Sequence, residues 1–258
     1  MDEYIQPNMS NEDAVSLIKE KIKTNTPFAF TRYGDGEVYI MTNRSKRESW
    51  LQKACKDYGY DYKKDGEIEQ FYKDYNKILW GTFTKSDMVG IMKSECSILP
   101  GKQNLDDWSF KKELLKEKNI DIENLLITEH QLSRHKIMGS VEGMRDIIQG
   151  NDIHIITITP NNMIERNLDK LLGINITYTE NKMSYSYRNR DEILKQFKNI
   201  KENIVLYGSG IDKDYGTILR DKYGKIALDM GSVMEAWSGR LARNTFKEGQ
   251  LQSYLLIK

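Results

Sequence analysis

Five short runs rich in apolar and β-branched residues punctuate the second half of the chain: NLLITE (124–129), DIHIITI (152–158), INITYT (174–179), NIVLYG (203–208) and KIALDM (225–230). Helical periodicity fills the intervals near 140–149, 161–172, 188–199 and 213–223. Runs that are apolar without strict alternation are buried on both faces, which is the condition of a parallel sheet covered by helices on each side. A further run, PFAFTRY (27–33), follows Pro27 and leads into glycines. The pattern therefore predicts an α/β, Rossmann-like fold with a mostly parallel sheet of about six strands, helices on both faces and right-handed crossovers.

The first half of the chain is more helical. SNEDAVSLIKEKIKT (10–24) opens on Ser10 with Asp13 three residues on, and Ala14, Val15, Leu17, Ile18 and Ile22 mark one face. Helices are also expected at 37–43, 48–58, 66–77 and 109–118. KILWGTF (77–83) reads as a strand, SDMVGIMKSE (86–95) as a capped helix, and ILPGKQNLDDW (98–108) as a turn-rich loop.

Length and charge narrow the possibilities. A chain of 258 residues is expected to form one domain, with residues 1–120 preceding a βα-repeating part over 121–258. Lys and Arg number 39 against 38 Asp and Glu, so no broad basic face for nucleic acid is indicated. Cys55 and Cys96 lack zinc or disulfide spacing, which suits a reducing compartment. The polar N-terminus lacks the pattern of a secretory signal, and no run approaches the roughly 20 apolar residues of a membrane span. The expectation is a cytoplasmic protein, with a homo-oligomer left open.

Chemistry concentrates at two predicted strand ends. After the first comes Arg32-Tyr33-Gly34-Asp35-Gly36-Glu37. Two carboxylates separated by a glycine suit a hard divalent ion such as Mn²⁺ or Mg²⁺, bound with a nucleotide whose phosphates complete its shell. Gly34 and Gly36 would let backbone N–H groups approach a phosphate, and Arg32 would meet the diphosphate charge. The competing reading makes Asp35 a helix N-cap with Glu37 favoured by the helix dipole. A second Asp-Gly-Glu, residues 65–67, follows Tyr-Lys-Lys and opens IEQFYKDY, so there the capping reading is preferred, with Asp65 as the cap.

At the other end, Gly208-Ser209-Gly210 follows NIVLYG but lacks the third glycine of a dinucleotide fingerprint, since Lys213 stands there. It reads as a phosphate-contacting turn or an ordinary loop. Asp229 and Glu235, in KIALDMGSVMEAW, are candidate bases or sugar contacts; the alternative is a cap for Asp229 and a solvated face for Glu235, with Trp237 in the core. His130 and His135 are spaced at i, i+5 and do not suit zinc, and His154 reads as structural. Arg134, His135 and Lys136 form a small basic cluster that reads as an anion contact or a solvated face.

With FAFTRYGDGE at one end and YGSG…KYGKIALDMGSVMEAW at the other, the sequence resembles the GT-D glycosyltransferase family. Phe30, Arg32, Gly34, Asp35, Gly36 and Glu37 match its Phe-x-Arg-x-Gly-Asp-Gly-Glu pattern, and Asp229, Met230 and Gly231 match its C-terminal Asp-[Ile/Met]-Gly. The resemblance implies a metal-dependent hexosyltransferase. Its donor would be a nucleotide-sugar, UDP-glucose-like, and its acceptor a glycan or glycoprotein hydroxyl. Asp35 and Glu37 would be metal ligands; Arg32, Gly34, Gly36, Gly208, Ser209 and Gly210 would contact the donor. The rival readings are a metal-dependent phosphohydrolase and a non-catalytic nucleotide-binding module. In place of the family's central glycine-rich turn the chain has ITITPNNMIERN (156–167), and Asp106, Asp107 and Trp108 are assigned to the acceptor.

Overall fold

The computed structural model describes residues 4–42, 48–92, 110–134, 136–157, 168–180, 190–231 and 233–237. Seven strands form one sheet: β1 (Phe28–Arg32), β2 (Met88–Ile91), β3 (Leu126–Glu129), β4 (Ile153–Thr157), β5 (Ile176–Glu180), β6 (Ile204–Gly208) and β7 (Ile226–Asp229). Their order is β3-β2-β1-β7-β6-β4-β5, and every pairing is parallel. Strands from both halves of the chain thus share one sheet. The pairing of β1 with β7 (Phe30 opposite Leu228) brings residues about 200 positions apart to one strand-end edge.

Alternation assigns the layers. Phe28, Phe30, Met88, Ile153, Ile155, Ile204, Leu206, Ile226 and Leu228 face a core shared with α1 (Asn11–Lys23), a helix at Val141–Ile148 and the short helix Val233–Trp237. On the opposite face, Val89, Ile91 and Ile127 meet α2 (Asp35–Thr42), α3 (Glu48–Asp57) and α4 (Glu67–Lys85). Val205, Tyr207 and Ala227 meet the helix Tyr215–Tyr223 on that side. Helix α1 is capped as its sequence requires: the Asp13 N–H donates to Ser10 Oγ at 3.0 Å. No described helix is long and apolar enough to cross a membrane.

Two expectations are corrected between residues 77 and 95. KILWGTF is the last half of α4, because Phe71, Tyr75, Leu79 and Phe83 continue one buried stripe at four-residue spacing. Ser86 does not start a helix. Its N–H donates to Thr82 O at 2.9 Å, so it closes α4, and Met88–Ile91 becomes the fully buried strand β2. That strand raises the count from about six to seven. The predicted loop 98–108 and most of 156–167 lie outside the described residues.

The stripe makes a prediction. Leu79→Ala should lower unfolding free energy in denaturant by about 2–5 kcal/mol, whereas the exposed Lys73→Ala should stay within about 0.5 kcal/mol. Similar losses at both positions would contradict the helical register of α4.

Candidate functional site

Arg32 ends β1, beside Asp229 at the end of β7. Its backbone N–H donates to Asp229 Oδ2 at 3.1 Å. The guanidinium reaches across the strand ends: Nε donates to His130 O at 2.8 Å, Nη1 donates to Met230 O at 2.9 Å, and Nη2 lies 3.0 Å from His130 Nε2. Arginine only donates, so Nε2 accepts and the neutral imidazole carries its proton on Nδ1. Arg32 is buried and occupied by protein acceptors. It clamps the ends of β1, β3 and β7 through these contacts.

Asp229 is 0 % exposed. Its Oδ2 also accepts from Lys213 Nζ at 2.8 Å, and its Oδ1 accepts from the Gly231 N–H at 3.0 Å. With both oxygens engaged and no exposed surface, Asp229 holds Arg32 and Lys213 in position. Glu235 lies in the helix Val233–Trp237, but its side chain falls outside the described residues. Trp237 is in the core, where its Nε1 donates to Gly139 O at 2.9 Å.

Lys213 joins the two predicted strand-end motifs. Its Nζ lies 2.8 Å from Asp229 and 3.3 Å from Glu37 Oε1. Burial works against its charge, but Asp229 and then Glu37 outweigh that cost and hold its pKa above the ordinary lysine value. Lys213 is therefore an ammonium group, buried at 6 % exposure between two carboxylates.

Glu37 reaches back along its own helix, and its Oε2 accepts the Gly34 N–H at 2.8 Å. The Val38 N–H donates to Gly34 O at 3.0 Å, so Gly34 is the N-cap and Glu37 supplies the one half of a capping box that a glycine cap allows. One detail of the capping reading is corrected: Asp35 is the first helical residue and Gly34, not Asp35, is the cap, with its N–H taken by Glu37. Neither Gly34 nor Gly36 adopts positive φ. Gly34 is small because a Cβ there would stand 3.0 Å from His130 Nε2. The Asp35 carboxylate, on a partly exposed residue, makes no hydrogen bond or ion pair with a described residue.

The second Asp-Gly-Glu is a surface turn. Its cap is Gly66 at φ +78°, not the exposed Asp65, because a left-handed backbone suits glycine. Glu67 Oε2 accepts the Asp61 N–H at 3.3 Å.

At Gly208–Gly210 the two glycines serve packing. A Cβ on Gly208 would lie 2.9 Å from Gly231 O, and one on Gly210 would lie 2.1 Å from the Tyr58 hydroxyl. That hydroxyl accepts the Ile211 N–H at 2.9 Å. Ser209 differs, since its Oγ is buried without a hydrogen-bond partner. Behind the turn, Tyr75 donates to Asp212 Oδ1 at 3.4 Å, and Arg190 pairs with Asp214. Burial pushes the Asp212 pKa up to about 7, against the opposing pull of Arg190.

Sequence reasoning overlooked His130, Tyr58, Asp212 and Lys213 as members of the site. The available signal was position: His130 and Lys213 follow closely on the carboxyl ends of β3 and β6, where ligands of parallel sheets bind. His154 is structural, with ring nitrogens 2.6 and 2.9 Å from the Thr177 and Thr179 hydroxyls. The side chains of Arg134, His135 and Lys136 lie outside the described residues, as do Asp106, Asp107 and Trp108.

The donor chemistry suits a divalent ion that arrives with phosphate. Asp35 offers a carboxylate without a partner among the described residues, and the charge already standing at Glu37 Oε1 is the Lys213 ammonium, so that oxygen already faces a cation. No group of three or more His, Cys, Asp or Glu ligands forms among the described residues. Two carboxylates with the remaining positions left to water and phosphate is the usual Mg²⁺ arrangement.

Asp212 yields a pH prediction. Its folded pKa of about 7 lies above the unfolded value of about 3.9, so the fold holds its proton more tightly. The parent should lose stability as pH rises from about 4 to about 7 relative to Asp212→Asn, with the difference level above that range. Thermal unfolding across pH checks this, and a gap independent of pH would contradict it.

Comparison with known proteins adds the family. Residues 9–237 match the model of the GT-D fold-like domain. A search of curated proteins finds no match. One solved structure, described as showing that the highly conserved domain of unknown function 1792 has a distinct glycosyltransferase fold, is 20% identical, with 93% of this chain and 88% of that one covered and a TM-score of 0.57. Another, described as a new glycosyltransferase of that domain type from Streptococcus sanguinis, is 16% identical over 93% of this chain and 91% of its own, with a TM-score of 0.54. The family match takes in all seven strands and both strand-end motifs, and the chain belongs to the GT-D fold-like family.

Proposed function

We propose that this protein transfers a hexose from a nucleotide-diphosphate sugar, UDP-glucose-like, to a hydroxyl group of a glycan or glycoprotein. One observation carries the reading: the ion-pair chain Arg32–Asp229–Lys213–Glu37 assembles at the carboxyl ends of β1, β6 and β7, where the side-chain oxygens of Asp35 and Ser209 have no partner among the described residues. In transfer, the acceptor oxygen bonds to the anomeric carbon and its proton passes to solvent. The bond from that carbon to the phosphate oxygen breaks, and its electron pair leaves with the nucleoside diphosphate.

The leaving group needs stabilisation as its charge grows. A Mn²⁺ or Mg²⁺ ion held by Asp35 and Glu37 would supply Lewis-acid charge for it. The chain's own residues do the rest. Lys213 brings an ammonium whose third N–H is not needed by Asp229 or Glu37, and the Ser209 hydroxyl supplies a donor from the turn after β6. Arg32 and Asp229 keep these groups in register by fixing the strand ends. Membership of the GT-D fold-like family supports the choice of a sugar donor and a hydroxyl acceptor.

Incubation with a panel of nucleotide-sugars and Mn²⁺, followed by assay of released products, tests this. Free nucleoside diphosphate is expected. Release of inorganic phosphate would favour a phosphohydrolase, and thermal stabilisation without turnover would favour a binding module. Asp35→Ala and Glu37→Ala should lower turnover at least about 100-fold, while Asp65→Ala and Glu67→Ala should leave it nearly unchanged. Equal loss in the two pairs would refute the assignment of the first Asp-Gly-Glu.

A further inference from the structure

The charges at the strand ends do not suit a donor alone. In the chain Arg32–Asp229–Lys213–Glu37 with the adjacent Asp35, Arg32 and Lys213 are positive and Asp35, Glu37 and Asp229 are negative. That set is negative by one charge, and a diphosphate adds more of the same sign. The site equally does not suit a divalent ion alone, because Glu37 Oε1 already faces the Lys213 ammonium at 3.3 Å. An incoming cation at that oxygen meets like-charge repulsion until the ammonium turns away.

Lys213 has an alternative. Its contact with Asp229 is the shorter, at 2.8 Å, and Asp229 is itself fixed by the Arg32 and Gly231 N–H groups. The contact with Glu37 is the longer one, and Glu37 keeps its second anchor on the Gly34 N–H. An ammonium pivoting about Asp229 would therefore leave Glu37 in place with one oxygen open. The residue lies three positions after Gly210, in the segment that follows β6, so a diphosphate beside Ser209 would be the natural new partner.

We propose that Lys213 is an exchangeable counter-ion: it neutralises Glu37 in the empty site and releases it to a divalent cation only as a diphosphate arrives to accept the ammonium. The inference rests on the nucleotide-diphosphate reading above. It makes Lys213 the residue that couples metal binding to donor binding, a coupling that is reciprocal by necessity.

The test measures binding, not turnover. Mn²⁺ binding is followed by the loss of its free electron-spin-resonance signal, with and without uridine diphosphate, and uridine diphosphate binding is followed by calorimetry. In the parent, uridine diphosphate should tighten Mn²⁺ binding at least about 10-fold. In Lys213→Met, Mn²⁺ alone should bind more tightly than in the parent, because Glu37 loses its competing cation, while uridine diphosphate with Mn²⁺ should bind at least about 10-fold more weakly. Opposite signs are what a merely damaged site would not give. Equal Mn²⁺ affinity in the parent with and without uridine diphosphate would overturn the proposal, as would loss of both affinities, or of neither, in a folded variant. Should that variant not fold, Lys213→Gln, which keeps a similar length and removes the charge, is measured in its place, with the same pair of opposite shifts expected and the same results overturning the proposal. Failure of the parent to bind uridine diphosphate at all would overturn the nucleotide-diphosphate reading together with this one, whereas binding without coupling would overturn only the exchange.

Discussion

A carboxylate with no exposed surface has to be matched by charge and hydrogen bonds, and at Asp229 that requirement organises the site. An unpaired ion in such surroundings carries a penalty of several kcal/mol, and removing one partner of a buried pair typically costs about 3–5 kcal/mol. Asp229 is matched by the Arg32 N–H, the Gly231 N–H and the Lys213 ammonium. Each partner comes from a different strand end or the segment after it, so satisfying one charge fixes β1, β6 and β7 relative to one another. The same matching accounts for the glycine at 231, where φ is +52° and a Cβ would stand 2.2 Å from Arg32 Nη1.

The consequences run outward to function. Arg32, anchored to two carbonyl groups and His130, is a fixed charge under the site. Lys213, with a strong contact to Asp229 and a longer one to Glu37, is the charge able to change partners. Glu37 serves both as a capping-box residue and as a charged partner at the mouth of β1. The capping and functional readings of the Asp-Gly-Glu turn are therefore compatible: the cap is the device that aims the carboxylate. The turn at 65–67 shares the letters and lacks every one of these neighbours.

Much of the fold was legible because periodicity reports burial. The runs that became β1, β3, β4, β5, β6 and β7 are apolar on both faces, and their order alternates with helical segments. MVGI was not legible as a strand, since Ser86 imitates a helix start and four residues carry too little pattern. KILWGTF failed in the opposite way: its apolar run conceals a stripe that begins at Phe71. The site divided along similar lines. Residues in motifs, such as Asp35, Glu37 and Asp229, stood out in the sequence, but their partners did not, because the pairing of β1 with β7 depends on tertiary register. Lys213 could be seen only as a missing glycine until its neighbours were known.

The proposed seat of the donor diphosphate is the carboxyl ends of β1 and β6, beside Lys213 and Asp35. A crystal structure of the protein with uridine diphosphate and Mn²⁺ tests it most directly. The account predicts phosphate oxygens within hydrogen-bond distance of Lys213 Nζ and Ser209 Oγ, with the ion at Asp35 and Glu37. A nucleotide seated elsewhere, such as the open cavity at the opposite end of the sheet between Lys21, Phe28, Asp87 and Asp121, would contradict it.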